Sequence, residues 1–224
     1  LTVINSTFIN TSATGSNVDG GAIYNYYGGN LTVINSTFIN TTSARNGGAI
    51  FVGYGGNLTV INSTFNNTKT NVYGGAIYSN MEVFVLNSTF INTKSTIIQN
   101  AGQGGSIYGR NIYVFGSEFT NTYAYGKGGS IYGKQNVTVV DSKFTNTTSN
   151  NGGAIYTQNS GSITVIDSSF INTKADSGSD IFSKDGNITL ICNDYAGRTK
   201  YNSTEVYGNV IKYIVSGTFA EVQY

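Results

Sequence analysis

Leu31-Thr-Val-Ile-Asn-Ser-Thr-Phe-Ile-Asn40, followed six residues later by Asn46-Gly-Gly-Ala-Ile50, decides the fold because the chain keeps returning to it. Leu1 to Asn10 is the same decapeptide without a change, and Phe-x-Asn-Thr recurs from Phe8, Phe38, Phe65, Phe90, Phe119, Phe144 and Phe170. A Gly-Gly-small-Ile unit follows each of the first six, and a degraded copy, Ser179-Asp180-Ile181, follows the seventh. The period is about 25 to 30 residues. Self-similarity on that scale marks stacked supersecondary units, each burying its apolar face on its neighbours instead of around one central core. One continuous repeat domain over residues 1–195 is therefore expected, with 196–224 a degenerate last coil or C-terminal cap.

Counted back from each Phe, the positions seven, five and four residues earlier are apolar in every copy, as in Leu31, Val33, Ile34 and in Ile112, Val114, Phe115. The first two alternate as in a half-buried strand. The third breaks that alternation, so a bend is expected there. The next residue is Asn5, Asn35, Asn62, Asn87, Gly116, Asp141 or Asp167. Asn, Asp and Gly are the types that tolerate the left-handed region at modest cost, so this position is a corner. The strand beyond it carries an inward Phe and ends at Asn-Thr, whose side chains are expected to bond turn backbone. A third strand centres on the Ile of the glycine unit, and the insertions at Thr11–Asp19 and Lys94–Gln103 mark an elastic surface loop before it. With no proline and no helical periodicity, the fold is all-β: a right-handed parallel β-helix of about eight coils with three short strands each, roughly 40 Å long at ~4.8 Å per coil. Ile188, Leu190, Ile191 and Tyr195 form the degenerate eighth coil, and Val206, Tyr207, Val210 and Tyr213 read as closing strands.

Composition narrows the function. Charged residues are only 10% of the chain and the net charge is +1 without a Lys/Arg cluster, which argues against nucleic acid or an anionic membrane as partner. No apolar stretch is long enough for direct membrane insertion of this segment. The chain opens in mid-repeat at Leu1 without signal peptide or initiator Met, so it reads as a fragment whose targeting and anchoring segments lie elsewhere. The single cysteine, Cys192, excludes an internal disulfide and reads as a small buried filler. There is no histidine. Asp141 and Asp167 alternate with Asn and Gly at the corner and so read as backbone geometry, not as an acid–base pair. Asp176, Asp180 and Asp185 lack calcium-loop spacing. No catalytic residue, metal or cofactor is expected.

The joint occurrence of Gly-Gly-Ala-Ile and Phe-x-Asn units resembles the repeats of chlamydial polymorphic outer-membrane proteins, although those carry FxxN in place of Phe-x-Asn. It resembles still more the adhesin-like surface proteins of gut methanogenic archaea, in which segments such as Leu31 to Asn40 with Asn46 to Ile50 recur in right-handed β-helix regions. The resemblance covers residues 1 to about 195. It implies a cell-surface, extracellular location and an adhesive role.

Two sets of residues are candidates for contact. An aromatic residue follows each repeat Ile: Tyr24, Phe51, Tyr78, Tyr108, Tyr132, Tyr156 and Phe182. If Ile points inward these point outward as one stripe, flanked by Tyr26, Tyr27, Tyr54 and Tyr73. Such a stripe either offers flat faces to sugar rings or a partner protein, or stacks on itself to hold register. Asn-x-Ser/Thr sequons at Asn30, Asn57, Asn136, Asn187 and Asn202 are candidate glycan acceptors in a secreted chain, with Asn30 and Asn57 expected to be the most accessible. The expected role is a non-catalytic adhesin or stalk segment whose partner is a glycan or surface protein of a host or neighbouring cell. The alternatives are a fibre or sheath subunit that self-associates end to end and, behind it, a polysaccharide lyase or hydrolase built on the same coil.

Overall fold

The computed structural model describes residues 1–97, 102–195 and 204–215. Within them the chain is a parallel β-helix of about eight coils whose strands form three sheets. Equivalent residues of successive repeats are hydrogen-bonded neighbours, so Leu31 pairs with Leu58 and Phe38 with Phe65. Sequence identity between repeats thereby becomes ladders of identical side chains.

The first strand of each coil, Leu31–Ile34 for example, keeps its alternation to the end: Leu31 and Val33 are fully buried while Thr32 and Ile34 face outward. The third apolar residue therefore does not start the bend, contrary to the sequence reading. It is an outward residue of a regular strand, and the bend falls one position later. There Asn5, Asn35, Asn62, Asn87, Gly116, Asp141 and Asp167 all have φ between 48° and 54°. Cys192 occupies the same corner in the eighth coil, half-buried with φ 52°. It is thus a corner residue and not a buried filler, because pairing of Ile166 with Ile191 puts it in register with Asp167.

The residue after the corner was not singled out by sequence, yet it holds the coils together. Each buried serine hydroxyl donates to the carbonyl two residues back and accepts the N–H of the preceding coil's serine: Ser36 Oγ donates to Ile34 O (2.8 Å), and Ser6 N donates to Ser36 Oγ (3.2 Å). The row continues through Ser63, Ser88, Ser117, Ser142 and Ser168 to Asn193. The Asn of Phe-x-Asn forms a second left-handed corner, with φ between 54° and 57° from Asn10 to Asn172. Its amide does not bond turn backbone as expected. Stacking brings the amides of adjacent coils together, so Asn40 Nδ2 donates to Asn10 Oδ1 (2.9 Å) and Asn67 Nδ2 to Asn40 Oδ1 (2.7 Å), an exposed amide ladder.

Between this corner and the glycine pair lies a row of two-residue strands, such as Thr42–Ser43 and Lys69–Thr70, inside what sequence reads as an elastic loop. The insertion at Lys94–Gln103 falls partly outside the described residues. In the glycine pair the first residue is left-handed (Gly74, φ 66°), and the second permits close approach: a Cβ on Gly75 would lie 2.0 Å from the carbonyl oxygen of Gly105. The rung that follows, Ile77–Ser79, turns Ile77 inward.

Inside, the phenylalanines stack in a file from Phe8 to Phe170 and end on Tyr195, with ring centroids 4.7 to 5.6 Å apart. At the C-terminal end the third and first strands merge into one strand, Ile181–Ile191, on which Val206–Ile214 pairs in parallel with two register shifts. Val206 and Tyr213 from that strand join the interior.

Candidate functional site

The aromatic residues after each Ile point away from the interior and form a second cluster separate from it. Ring follows ring from Tyr24 through Phe51, Tyr78, Tyr108, Tyr132 and Tyr156 to Phe182, with centroids 4.9 to 5.2 Å apart and planes within 12° of parallel. The coil spacing imposes this, since parallel in-register strands place equivalent rings one rung apart.

Over its middle the stripe is a covered stack instead of an open platform. Phe51, Tyr78, Tyr108, Tyr132 and Tyr156 are at most 8% exposed. Each face lies against the next ring, and two flanking rows close over the edges. From the residue before the glycine pair, Tyr73 stacks on Tyr108 (4.8 Å) and Lys127 lies over Tyr156 (5.0 Å). From the turn beyond the rung, Lys134 lies over Tyr108 (5.4 Å). Tyr78 Oη donates to Asn80 Oδ1 (2.8 Å), which also accepts from Lys134 Nζ (3.1 Å), and Tyr132 Oη donates to Gln158 Oε1. Burial pushes the Tyr78 phenol up to about 12 and raises those of Tyr108, Tyr132 and Tyr156 as well. Burial lowers the amines of Lys127 and Lys134, helped by the like charges of Lys184 and Arg110 respectively. Of this lid the sequence reading named only Tyr73, as a flanking residue; Lys127, Lys134, Asn80 and Gln158 belong to no repeat motif and were missed.

At the N-terminal end the row itself opens at Tyr24, and the flanking turns of the first two coils carry exposed rings. Tyr24 is 56%, Tyr54 53% and Tyr27 81% exposed. They gather round the half-buried Tyr26, which stacks on Tyr24 (5.9 Å) and meets Tyr27 and Tyr54 edge to face (4.4 and 5.8 Å). The turns that carry the cluster, Tyr26 to Asn30 and Gly53 to Asn57, hold five glycines and no charged residue. The small glycine turns leave the rings as the tallest features there, and Gly55 at φ 108° is a conformation closed to other residues.

One further coil carries an outside likeness. Residues 144–158 match the Chlamydia polymorphic membrane protein repeat. The matched stretch holds Phe144, the amide corner Asn146, the pair Gly152-Gly153 and the rung Ala154-Ile155-Tyr156, so part of one coil of this chain is similar to that repeat. No curated protein and no solved structure matches the chain. The repeat and the solenoid are together consistent with a structural or adhesive role in a surface protein.

The sequons sit mostly in one row just before the first strand. Asn30, Asn136 and Asn187 are exposed, and their Oδ1 atoms accept from Asn57 N, Ser162 N and Asn209 Nδ2 of the next coil. Asn57 is less accessible than the sequence suggests: it is half-buried, with Nδ2 donating to Glu82 Oε2 (3.3 Å) and Oδ1 accepting from Glu82 N (3.4 Å). Asn202 lies outside the described residues. Asp141 and Asp167, each on a left-handed corner, line a shallow depression with Glu118 and Lys143. Asp180 points inward and accepts from the Thr173 hydroxyl. Among the described residues no three His, Cys, Asp or Glu side chains group to hold a metal, and no helix is long and apolar enough to cross a membrane.

Proposed function

We propose that this segment is a rigid, non-catalytic rod of an extracellular surface protein that acts by contact, and that its contact point is the Tyr24, Tyr26, Tyr27 and Tyr54 cluster. The observation that carries this reading is a contrast along one stripe: the aromatic row is covered from Phe51 to Tyr156 but open at Tyr24, where Tyr27 and Tyr54 also stand exposed on uncharged glycine turns. Rings held edge to face around a fixed Tyr26 present apolar faces with hydroxyl edges, the complement of a neutral sugar ring. The ligand class is therefore a neutral glycan of a host or neighbouring cell, and weak contacts add when several rods are presented together.

The test is a glycan array probed with wild type and with a Tyr27→Ala/Tyr54→Ala double variant. Two lost ring contacts at ~0.5–1.5 kcal/mol each predict roughly a 5- to 150-fold weaker affinity, with the circular dichroism spectrum unchanged. Undiminished binding by the folded double variant would refute the assignment.

A further inference from the structure

We propose that the outward face of the first-strand row, opposite in character to the tyrosine stripe, is a lateral pairing surface for a second copy of this chain. The outward apolar position described above recurs in every coil, as Ile4, Ile34, Ile61, Leu86, Phe115 and Val140 and then in the two coils that follow. Ile4, Leu86 and Phe115 are 51%, 40% and 37% exposed. The neighbouring outward column is threonine except at Phe84 and Tyr113, whose half-exposed rings stack at 4.7 Å. Over the eight coils neither column holds a charged side chain; the first charge is Lys212, beside Thr189 on the closing strand.

The Phe row supplies an internal control. One of its outward columns is also mainly apolar, with Ile9, Ile39 and Ile91, but the other, on strands of the same kind, carries Glu118, Lys143 and Asp194 in line with threonine and serine. Strand propensity alone therefore does not exclude charge from an outward position of this coil. Solvation does not demand an apolar column either, and contiguous exposed apolar surface of this extent marks an interaction site.

What covers it follows from shape and size. The face is flat, uncharged and ruled at one strand spacing, so a partner meets it side chain for side chain only if it carries the same spacing. A second copy has that spacing by construction, and a two-fold axis lying in the contact plane keeps the two sets of columns commensurate along their whole length. Four strand residues by eight coils give roughly 13 by 38 Å, about 500 Å² per copy. Two copies thus bury about 1,000 Å², the lower bound for a specific interface, which predicts a weak, concentration-dependent dimer.

Sedimentation velocity on the whole chain, from about 5 to about 500 µM to bracket weak dissociation constants, reads this directly. Wild type is expected to move from one chain to two across that range. Leu86→Lys/Phe115→Lys is expected to remain a single chain throughout, whereas Thr89→Lys/Ile91→Lys, which puts the same charges on the outward face of the Phe row, pairs like wild type. Tyr27→Ala/Tyr54→Ala also pairs like wild type, so failure here is separable from failure of the glycan site. If the Leu86/Phe115 variant does not keep the wild-type circular dichroism spectrum, Thr59→Lys, which replaces an outward polar residue, takes its place with at least tenfold weaker pairing expected. Wild type that stays a single chain at the highest concentration overturns the proposal, as does a folded Leu86/Phe115 variant that pairs normally. A single chain that instead floats with phosphatidylcholine vesicles overturns it in favour of a lipid surface.

Discussion

Two aromatic files run along this molecule, one inside the coil and one outside it. Both stack at about one rung spacing and both are largely hidden from solvent, Phe38 to Phe144 at 0% and Phe51 to Tyr156 at no more than 8% exposure. The inner file is phenylalanine in seven coils and admits a hydroxyl only at Tyr195, in the eighth. The outer file is mostly tyrosine, and its hydroxyls reach amides in the lid, Asn80 and Gln158. Coil geometry sets the stacking in both. The supply of polar partners decides which of them carries oxygen, because a buried hydroxyl without a partner is costly.

The sharpest way to break this comparison is to empty one position in each file. Phe90→Ala leaves a cavity inside a close-packed coil and should cost about 3–5 kcal/mol. Tyr108→Ala should cost less, about 1–3 kcal/mol, because Tyr73 and Lys134 can settle over the gap from the flanking turns. Urea denaturation of both variants measures the difference, and equal losses would mean that the outer stack is as much core as the inner one.

Alkaline pH, combined with removal of one phenol, reads the burial of the outer file. Since the folded state raises the outer phenols above their usual value near 10, the unfolded chain binds fewer protons than the native one once pH exceeds ~10, and stability then falls as pH rises. Below that pH these groups make no difference. Each such phenol contributes a slope of about 1.4 kcal/mol per pH unit, and the Tyr78 share runs from pH ~10 to about 12, where its folded form ionises. Thermal melts across this window should show Tyr78→Phe losing stability less steeply than wild type. The inner phenylalanines cannot contribute, while Tyr195 at the end of the inner file is raised by burial as well, so equal slopes for wild type and Tyr78→Phe would show that the outer ring is not buried.

The smallest expected effect lies where inner polar groups are imperfectly matched. After the amide corner five coils bury a threonine, Thr41, Thr68, Thr93, Thr122 and Thr147. Where the glycine unit carries serine, the two hydroxyls meet, as Thr93 with Ser106 (2.6 Å) and Thr122 with Ser130 (2.7 Å). Where it carries Ala49, Ala76 or Ala154, the hydroxyls of Thr41, Thr68 and Thr147 have no protein partner among the described residues. Ala76→Ser should therefore stabilise by about 1 kcal/mol, read as a higher urea midpoint; an unchanged or lower midpoint would mean that the extra hydroxyl does not reach Thr68.

The parallel coil, the first corner and the inward Leu, Val and Phe positions were legible because each follows from backbone parity or from which residues accept positive φ, and repetition states those rules seven times; the second left-handed corner at the Asn of Phe-x-Asn was read only as a strand end, and the outward tyrosines only on condition that the repeat Ile points inward. The serine row was equally repetitive but was passed over, since serine at one position has no periodicity signal of its own. Its role appears only when N–H and hydroxyl from adjacent coils are seen 3.1 to 3.2 Å apart. Cys192 was misread for a related reason: nothing in a degenerate repeat says which residue inherits the corner until pairing with Asp167 fixes the register.

By itself, then, the sequence determined that equivalent residues would stack and on which side of the sheet each would lie, because strand alternation and left-handed corners are local properties of the chain. Only the tertiary structure decided what lies over an outward residue. The lid on Tyr108 comes from Tyr73 and Lys134, tens of residues away along the chain in other coils, while Leu86 and Phe115, just as apolar and just as regularly spaced, have no such cover and stay open. Exposure is a sum over neighbours that converge from separate coils, and no local pattern contains that sum.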